Sequence, residues 1–140
     1  MRIAVLGWGS LIKEAQVRML QIGGWRIDGP ILPVEFSRIS QASERAGCLT
    51  LVIDEKNGVN VTTCYALSFN TNLNDAIENL RVVENVKLNY SISYINLLKN
   101  KERTFARKFH PHCCDVIKGQ QRIISVALFG LHCCQTLRKF

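Results

Sequence analysis

A chain of 140 residues with 47% hydrophobic and 21% charged residues has the composition of one ordinary globular domain, long enough to bury a core without disulfide or metal staples. Its apolar runs fall far short of a membrane span, and its first residues lack the basic stretch, apolar core and small-residue cleavage site of a secretory signal, so a cytoplasmic protein with no membrane partner is expected. The formal net charge of +7 is uneven: residues 1–86 hold eight Lys/Arg and nine Asp/Glu, whereas residues 87–140 hold ten Lys/Arg and two acids, together with all three histidines and four of the six cysteines.

The first stretch, MRIAVLGWGSLI, is an apolar run closed by glycines, the pattern of a buried strand ending in a tight turn. Gly7 and Gly9 admit positive φ and close approach of a ligand to the main chain. The N–H groups of Gly9, Ser10 and Leu11 can then converge on a carboxylate or an oxyanion. Lys13 to Ile22 suits a short helix with Val17, Leu20 and Met19 inward, ended by Gly23-Gly24. Gly29-Pro30 and Pro33 mark a turn leading into a strand. Val34 to Ile39 alternates at period two, placing Val34, Phe36 and Arg38 on one face and Glu35, Ser37 and Ile39 on the other.

Gln41 to Ala46 reads as a polar loop. Cys48 to Ile53 and Val59 to Phe69 are rich in β-branched and aromatic residues, and the Asn57-Gly58 pair between them predicts a hairpin. Cys48 and Cys64 fall inside these runs and read as small buried side chains in a reducing compartment. Asn72 is a suitable cap for a helix whose Leu73, Ala76, Ile77, Leu80 and Val83 follow the i, i+3, i+4, i+7 pattern. Further on, Tyr90 to Leu98 and Arg122 to Gly130 are strand candidates separated by a basic stretch, Lys99 to Lys108.

Glu84 lies four residues after Leu80, seven after Ile77 and eleven after Leu73. At ~100° per residue, eleven steps return nearly to the starting direction, so Glu84 extends the apolar stripe. A carboxylate held there loses solvation, which raises its pKa toward that of a general base. If the helix frays before 84, the same carboxylate reaches water and does nothing.

The strand-closing run Val5-Leu6-Gly7-Trp8-Gly9-Ser10-Leu11 and the helix-ending run Leu80-Arg81-Val82-Val83-Glu84-Asn85-Val86 together resemble the γ-glutamyl cyclotransferase-like fold family. The runs Gly7–Ile12 and Leu32–Ser40 also resemble those of bacterial proteins with a Gly-Trp-Gly-Ser-Leu-Ile loop. The resemblance spans roughly residues 1–86. It implies an α+β domain with a mostly antiparallel, barrel-like sheet and short helices. The implied substrate is a small γ-glutamyl amine or peptide that releases 5-oxoproline without metal or cofactor. Gly7, Trp8, Gly9, Ser10 and Leu11 would bind it and Glu84 would be the acid/base. Arg38, if it points into the cleft, pairs a substrate carboxylate; on a strand edge, it and Glu35 are solvated side chains worth little. The commoner family loop has Tyr in place of Trp8 and often Asn in place of Leu11, and a glycine usually follows the glutamate where this chain has Asn85.

A competing reading of Gly7-x-Gly9 as a dinucleotide fingerprint fails at Ile12, where the third glycine belongs, although Asp28 stands near the distance of a ribose-binding acid. His110, His112, Cys113, Cys114, His132, Cys133 and Cys134 are zinc-compatible residue types. Their adjacent Cys-Cys pairs lack the C-x-x-C spacing that aims two thiolates at one ion, so incidental thiols are expected. The basic character of 87–140 also suits nucleic acid, but without aromatic interleaving or a nucleic-acid motif a solvated charged surface is expected. Residues 87–140 either complete the domain begun by 1–86 or form a divergent end of a longer family chain. A non-catalytic ligand-binding or nucleic-acid-binding protein with a degenerate cleft is the alternative to an enzyme.

Overall fold

The structure, a computed structural model, describes residues 2–40, 46–87, 92–96, 101–103 and 125–128, the last two segments as backbone. The strand-forming runs give β1 (Ile3–Gly7), β2 (Ile31–Ile39), β3 (Leu49–Ile53), β4 (Val59–Thr62), β5 (Cys64–Leu67), β6 (Ser93–Asn96), β7 (Lys101–Arg103) and β8 (Ser125–Leu128). The helices are α1 (Ser10–Glu14) and α2 (Leu73–Val83). The fold class is α+β. A five-stranded sheet runs in the order β5-β1-β8-β6-β7 and a three-stranded sheet in the order β3-β2-β4. All pairings are antiparallel except β1 with β8. Among the described residues the sheets are not closed into a barrel, which corrects the barrel-like expectation.

β1 is buried along its whole length because both of its faces are covered. Ala4 and Leu6 join Tyr65 and Ile95 against Leu32, Val34 and Ile53 of the small sheet. Ile3 and Val5 face the other way, onto Leu11, Ala76, Ile77, Leu80 and Val83. The layers are therefore small sheet, large sheet and helices, with β1 in the middle. A two-sided strand of this kind shows a continuous apolar run, as Ile3-Ala4-Val5-Leu6 does. Strands from residues beyond 86 complete the sheet to which β1 belongs.

α2 follows its periodicity. Asn72 caps it by accepting the Asn74 N–H at 2.9 Å, and Ala76, Ile77, Leu80 and Val83 are its buried residues. α1 departs from expectation by starting at Ser10 rather than Lys13. Its winding ends where Met19 adopts φ 61°, so that the Met19 and Leu20 N–H groups bond back to Gln16 O and Ala15 O. That is a Schellman termination with methionine where glycine is usual. The shifted register puts Ala15 and Leu20 inside and leaves Val17 and Met19 more than 80% exposed; Gly23-Gly24 plays no part in ending the helix. Residues 21–29 run instead along the outer edge of β5, exchanging hydrogen bonds with Tyr65, Leu67 and Phe69.

The expected hairpin does not form. β3 and β4 lie on opposite edges of β2, and residues 54–58 carry the chain across it. A type I′ turn needs positive φ at both central residues, and neither Asn57 nor Gly58 has it. The Asp54 carboxylate has captured the turn. It accepts the N–H groups of Lys56 and Asn57, both at 3.0 Å, and the Asn57 side-chain amide at 3.1 Å. These bonds, that from the Asn57 side chain foremost, hold its carboxyl below the ordinary value. Cys48, expected to be buried, is exposed just ahead of β3, and Cys64 is half-buried in β5 with its thiol pushed up by burial.

Candidate active site

Gly9 is the N-cap of α1, at φ 60° and ψ −137°, a conformation open in practice only to glycine. The strand therefore passes into the helix through two residues, Trp8 and Gly9, and the first-turn N–H groups follow at once. Ser10 is exposed, whereas the Leu11 side chain is buried against α2, so Leu11 contributes its backbone and anchors the loop. Gly7 has another role from the one expected. Its φ is not positive, but a Cβ there would lie 2.5 Å from the Trp25 ring. It is the floor for Trp25, not a flexible joint.

Trp8 is half-buried and packs against both core clusters. Its indole N–H donates to Leu51 O at 3.3 Å, fixing the ring against β3. Leu51 pairs with Phe36 and Thr50 pairs with Arg38, because β2 carries a bulge between Phe36 and Arg38. One residue, Ser37, is therefore extra on β2. The Phe36 N–H is taken by Glu35 Oε1 at 2.7 Å. Glu35 is thereby turned back onto its own strand.

Glu84 is half-buried and forms the C-cap of α2; the helix does not fray before it. Its N–H bonds Leu80 O at 2.9 Å, the Asn85 N–H bonds Val82 O at 3.0 Å and the Val86 N–H bonds Arg81 O at 3.1 Å. Asn85 takes φ 53°. This is again a Schellman ending, and asparagine meets the left-handed requirement that glycine usually meets. Replacing Asn85 with alanine keeps the strain and loses that tolerance. Chemical denaturation of Asn85→Ala is expected to show a loss of about 1 kcal/mol.

Burial pulls the Arg38 guanidinium below its ordinary value, and the Glu84 carboxylate acts on it in the opposite sense. The two side chains, 46 positions apart in sequence, are therefore electrostatic neighbours. Trp8 joins the loop to β3 beside the Arg38 pairing, and Leu11 and Val83 join the loop to the end of α2. The structure thus links the three elements that carry Trp8 to Leu11, Arg38 and Glu84. No family model, curated protein or solved structure matches the chain.

The Cys and His residues at 110–114 and 132–134 lie outside the described residues. Among those described, no group of three or more His, Cys, Asp or Glu stands close enough to hold a metal ion, and no helix is long and apolar enough to cross a membrane. Two arginines that were not among the candidate site residues belong near the site. Arg18 and Arg81 both donate to carbonyls of the last turn of α2 or the turn after it. The signals were present as acid–arginine spacings of four residues, Glu14 to Arg18, and three, Glu78 to Arg81.

Proposed function

We propose that the chain is a γ-glutamyl cyclotransferase-like enzyme that releases 5-oxoproline from a small γ-glutamyl amine or peptide. The observation that carries the reading is a half-buried Glu84 at the end of the helix that packs on the Leu11 loop, where its carboxylate acts on the Arg38 guanidinium. An acid/base and a fixed cation on opposite elements suit an amino-acid-like substrate, which brings both an ammonium and a carboxylate. Arg38 binds the α-carboxylate. The N–H groups of Gly9, Ser10 and Leu11 hold the γ-glutamyl amide, and Trp8 walls the loop.

Glu84 takes a proton from the α-ammonium, which frees its nitrogen to attack the γ-carbonyl carbon. The new C–N bond closes the five-membered ring. As the bond to the leaving nitrogen breaks, Glu84 returns the proton to that nitrogen, then takes the second proton shed by the ring nitrogen and hands it to the released amine, which departs as its ammonium. No water is consumed and no redox partner is needed. Because nucleophile and electrophile belong to one molecule, holding the chain of the substrate folded supplies much of the acceleration.

The test is 5-oxoproline release from a panel of γ-glutamyl amines and dipeptides. Release from at least one substrate is expected. In Arg38→Met, kcat/KM is expected to fall about 100-fold, mostly through KM, because a charge-assisted pair to the substrate is lost. No release by the folded wild-type protein overturns the reading. The ten basic against two acidic residues in 87–140 then favour a non-catalytic protein, and a nucleic-acid affinity that falls steeply with salt is its signature.

A further inference from the structure

Two guanidinium groups grip the carbonyls on either side of Glu84. Arg18 Nη1 donates to Val83 O at 3.3 Å, and Arg81 Nη1 donates to Val86 O at 2.8 Å. Each arginine is itself held by a carboxylate one helical turn earlier. Arg18 Nη2 lies 2.6 Å from Glu14 Oε2, and Arg81 donates to both oxygens of Glu78 at 2.8 and 2.6 Å. Partly exposed pairs of this kind add little stability by themselves. Their effect is to select one rotamer of a long side chain, so that the guanidinium stands ready at the helix end. Cations there also complement the partial negative charge of the last carbonyls.

The backbone at both attachment points is costly. Among the described residues, the non-glycine positions with positive φ are Met19 and Asn85, which directly follow Arg18 and Glu84. Such strain persists only where surrounding contacts over-determine it. Asn79 supplies one set: its Oδ1 accepts the Gln21 N–H at 2.9 Å and its Nδ2 donates to Met19 O at 3.3 Å. Segment 18–21 is thus fastened to α2 at Asn79 and again, one turn later, at Val83. Glu14 belongs to α1, whose first residue is Ser10. A chain of contacts therefore runs from the helix bearing Ser10, through Glu14 and Arg18, to the carbonyl preceding Glu84.

We propose that Arg18 and Arg81 are positioning residues that fix turn 84–86, and with it the Glu84 carboxylate, relative to the loop that opens α1. The catalytic consequence rests on reading Glu84 as the proton-transfer group; the clamp itself does not. Arg18 sets the turn against α1, and Arg81 locks it to its own helix. Neither touches the reacting atoms.

The experiment uses the full chain with Arg18→Met, Arg81→Met and Arg18→Lys, read by amide hydrogen exchange and by steady-state 5-oxoproline release. Exchange at Glu84, Asn85 and Val86 is expected to quicken about tenfold in both Met variants while Ala76 and Ile77 keep wild-type protection. kcat is expected to fall about tenfold with KM within about twofold, since a small displacement of the base affects chemistry more than binding. Arg18→Lys, which keeps the charge but not the fork, is expected to recover part of kcat. Unchanged exchange at the turn in folded variants overturns the clamp. Quickened exchange along all of α2 also overturns it, because the arginines would then serve only general stability. Quickened exchange at the turn with no release by the wild type overturns the cyclotransferase reading and upholds the clamp. Should Arg81→Met fail to fold, Arg18→Met and Arg18→Lys decide the question.

Discussion

Glu84→Gln is expected to lower the rate of 5-oxoproline release about 10³-fold while leaving the protein folded. Glutamine matches glutamate in size, and Glu84 caps α2 through its backbone, with its N–H on Leu80 O. The amide therefore keeps the helix end intact while removing the only step that needs a basic oxygen. Loss falls on kcat, because the carboxylate is asked to act on the proton in flight and not to anchor the substrate. Substrate affinity should survive, and equilibrium dialysis with a γ-glutamyl dipeptide measures it directly. Glu84→Asp separates charge from reach: it retains the carboxylate but withdraws it by one methylene, and a loss of about 10²-fold is expected from misplacement alone. Full activity in a folded Glu84→Gln variant would remove Glu84 from the mechanism.

How much of this was legible in the residues depends on which forces act locally. β1 and α2 were readable because burial on both faces writes a continuous apolar run and burial on one helical face writes a 3.6-residue period. Glu84 was placed from Leu73, Ile77 and Leu80 by the same period. The bulge in β2 was not readable: nothing in Phe36-Ser37-Arg38 marks where a strand will admit an extra residue. The 54–58 turn was misread because Asn57-Gly58 advertises a hairpin, while Asp54 offers the same backbone a competing set of hydrogen bonds. The end of α1 was misread for a related reason. Gly23-Gly24 looks like the terminator, but contacts from Asn79 on a distant helix sustain the left-handed residue at Met19. The barrel-like closure came with the family resemblance, and the strand order of the two sheets does not reproduce it.

The crossing of β2 makes a second large effect testable at a single residue. A Cβ on Gly58 would stand 2.4 Å from Asp54 O, 2.6 Å from Pro33 C and 2.8 Å from Val34 N. All three are backbone atoms, so no side chain can swing aside. Pro33 and Val34 cannot retreat, because Val34 is buried among Leu32, Ile53 and Leu6 and its strand is paired on both edges. Asp54 O is tied as well, accepting the Gly58 N–H at 2.9 Å. Gly58→Ala must therefore open the crossing, and a loss of about 3 kcal/mol is expected in urea unfolding. Gly24 supplies the control. It has no atom within 4 Å of a built Cβ and no positive φ, so Gly24→Ala is expected to stabilise by about 0.5 kcal/mol through the unfolded chain. If the chain formed a free Asn-Gly hairpin instead of crossing β2, alanine at 58 would cost only the strain of a left-handed turn residue, about 1 kcal/mol. The difference between the two substitutions therefore reports the strand order itself. That order sets β3 beside β2, where its Leu51 carbonyl receives the Trp8 indole N–H and its Thr50 pairs with Arg38.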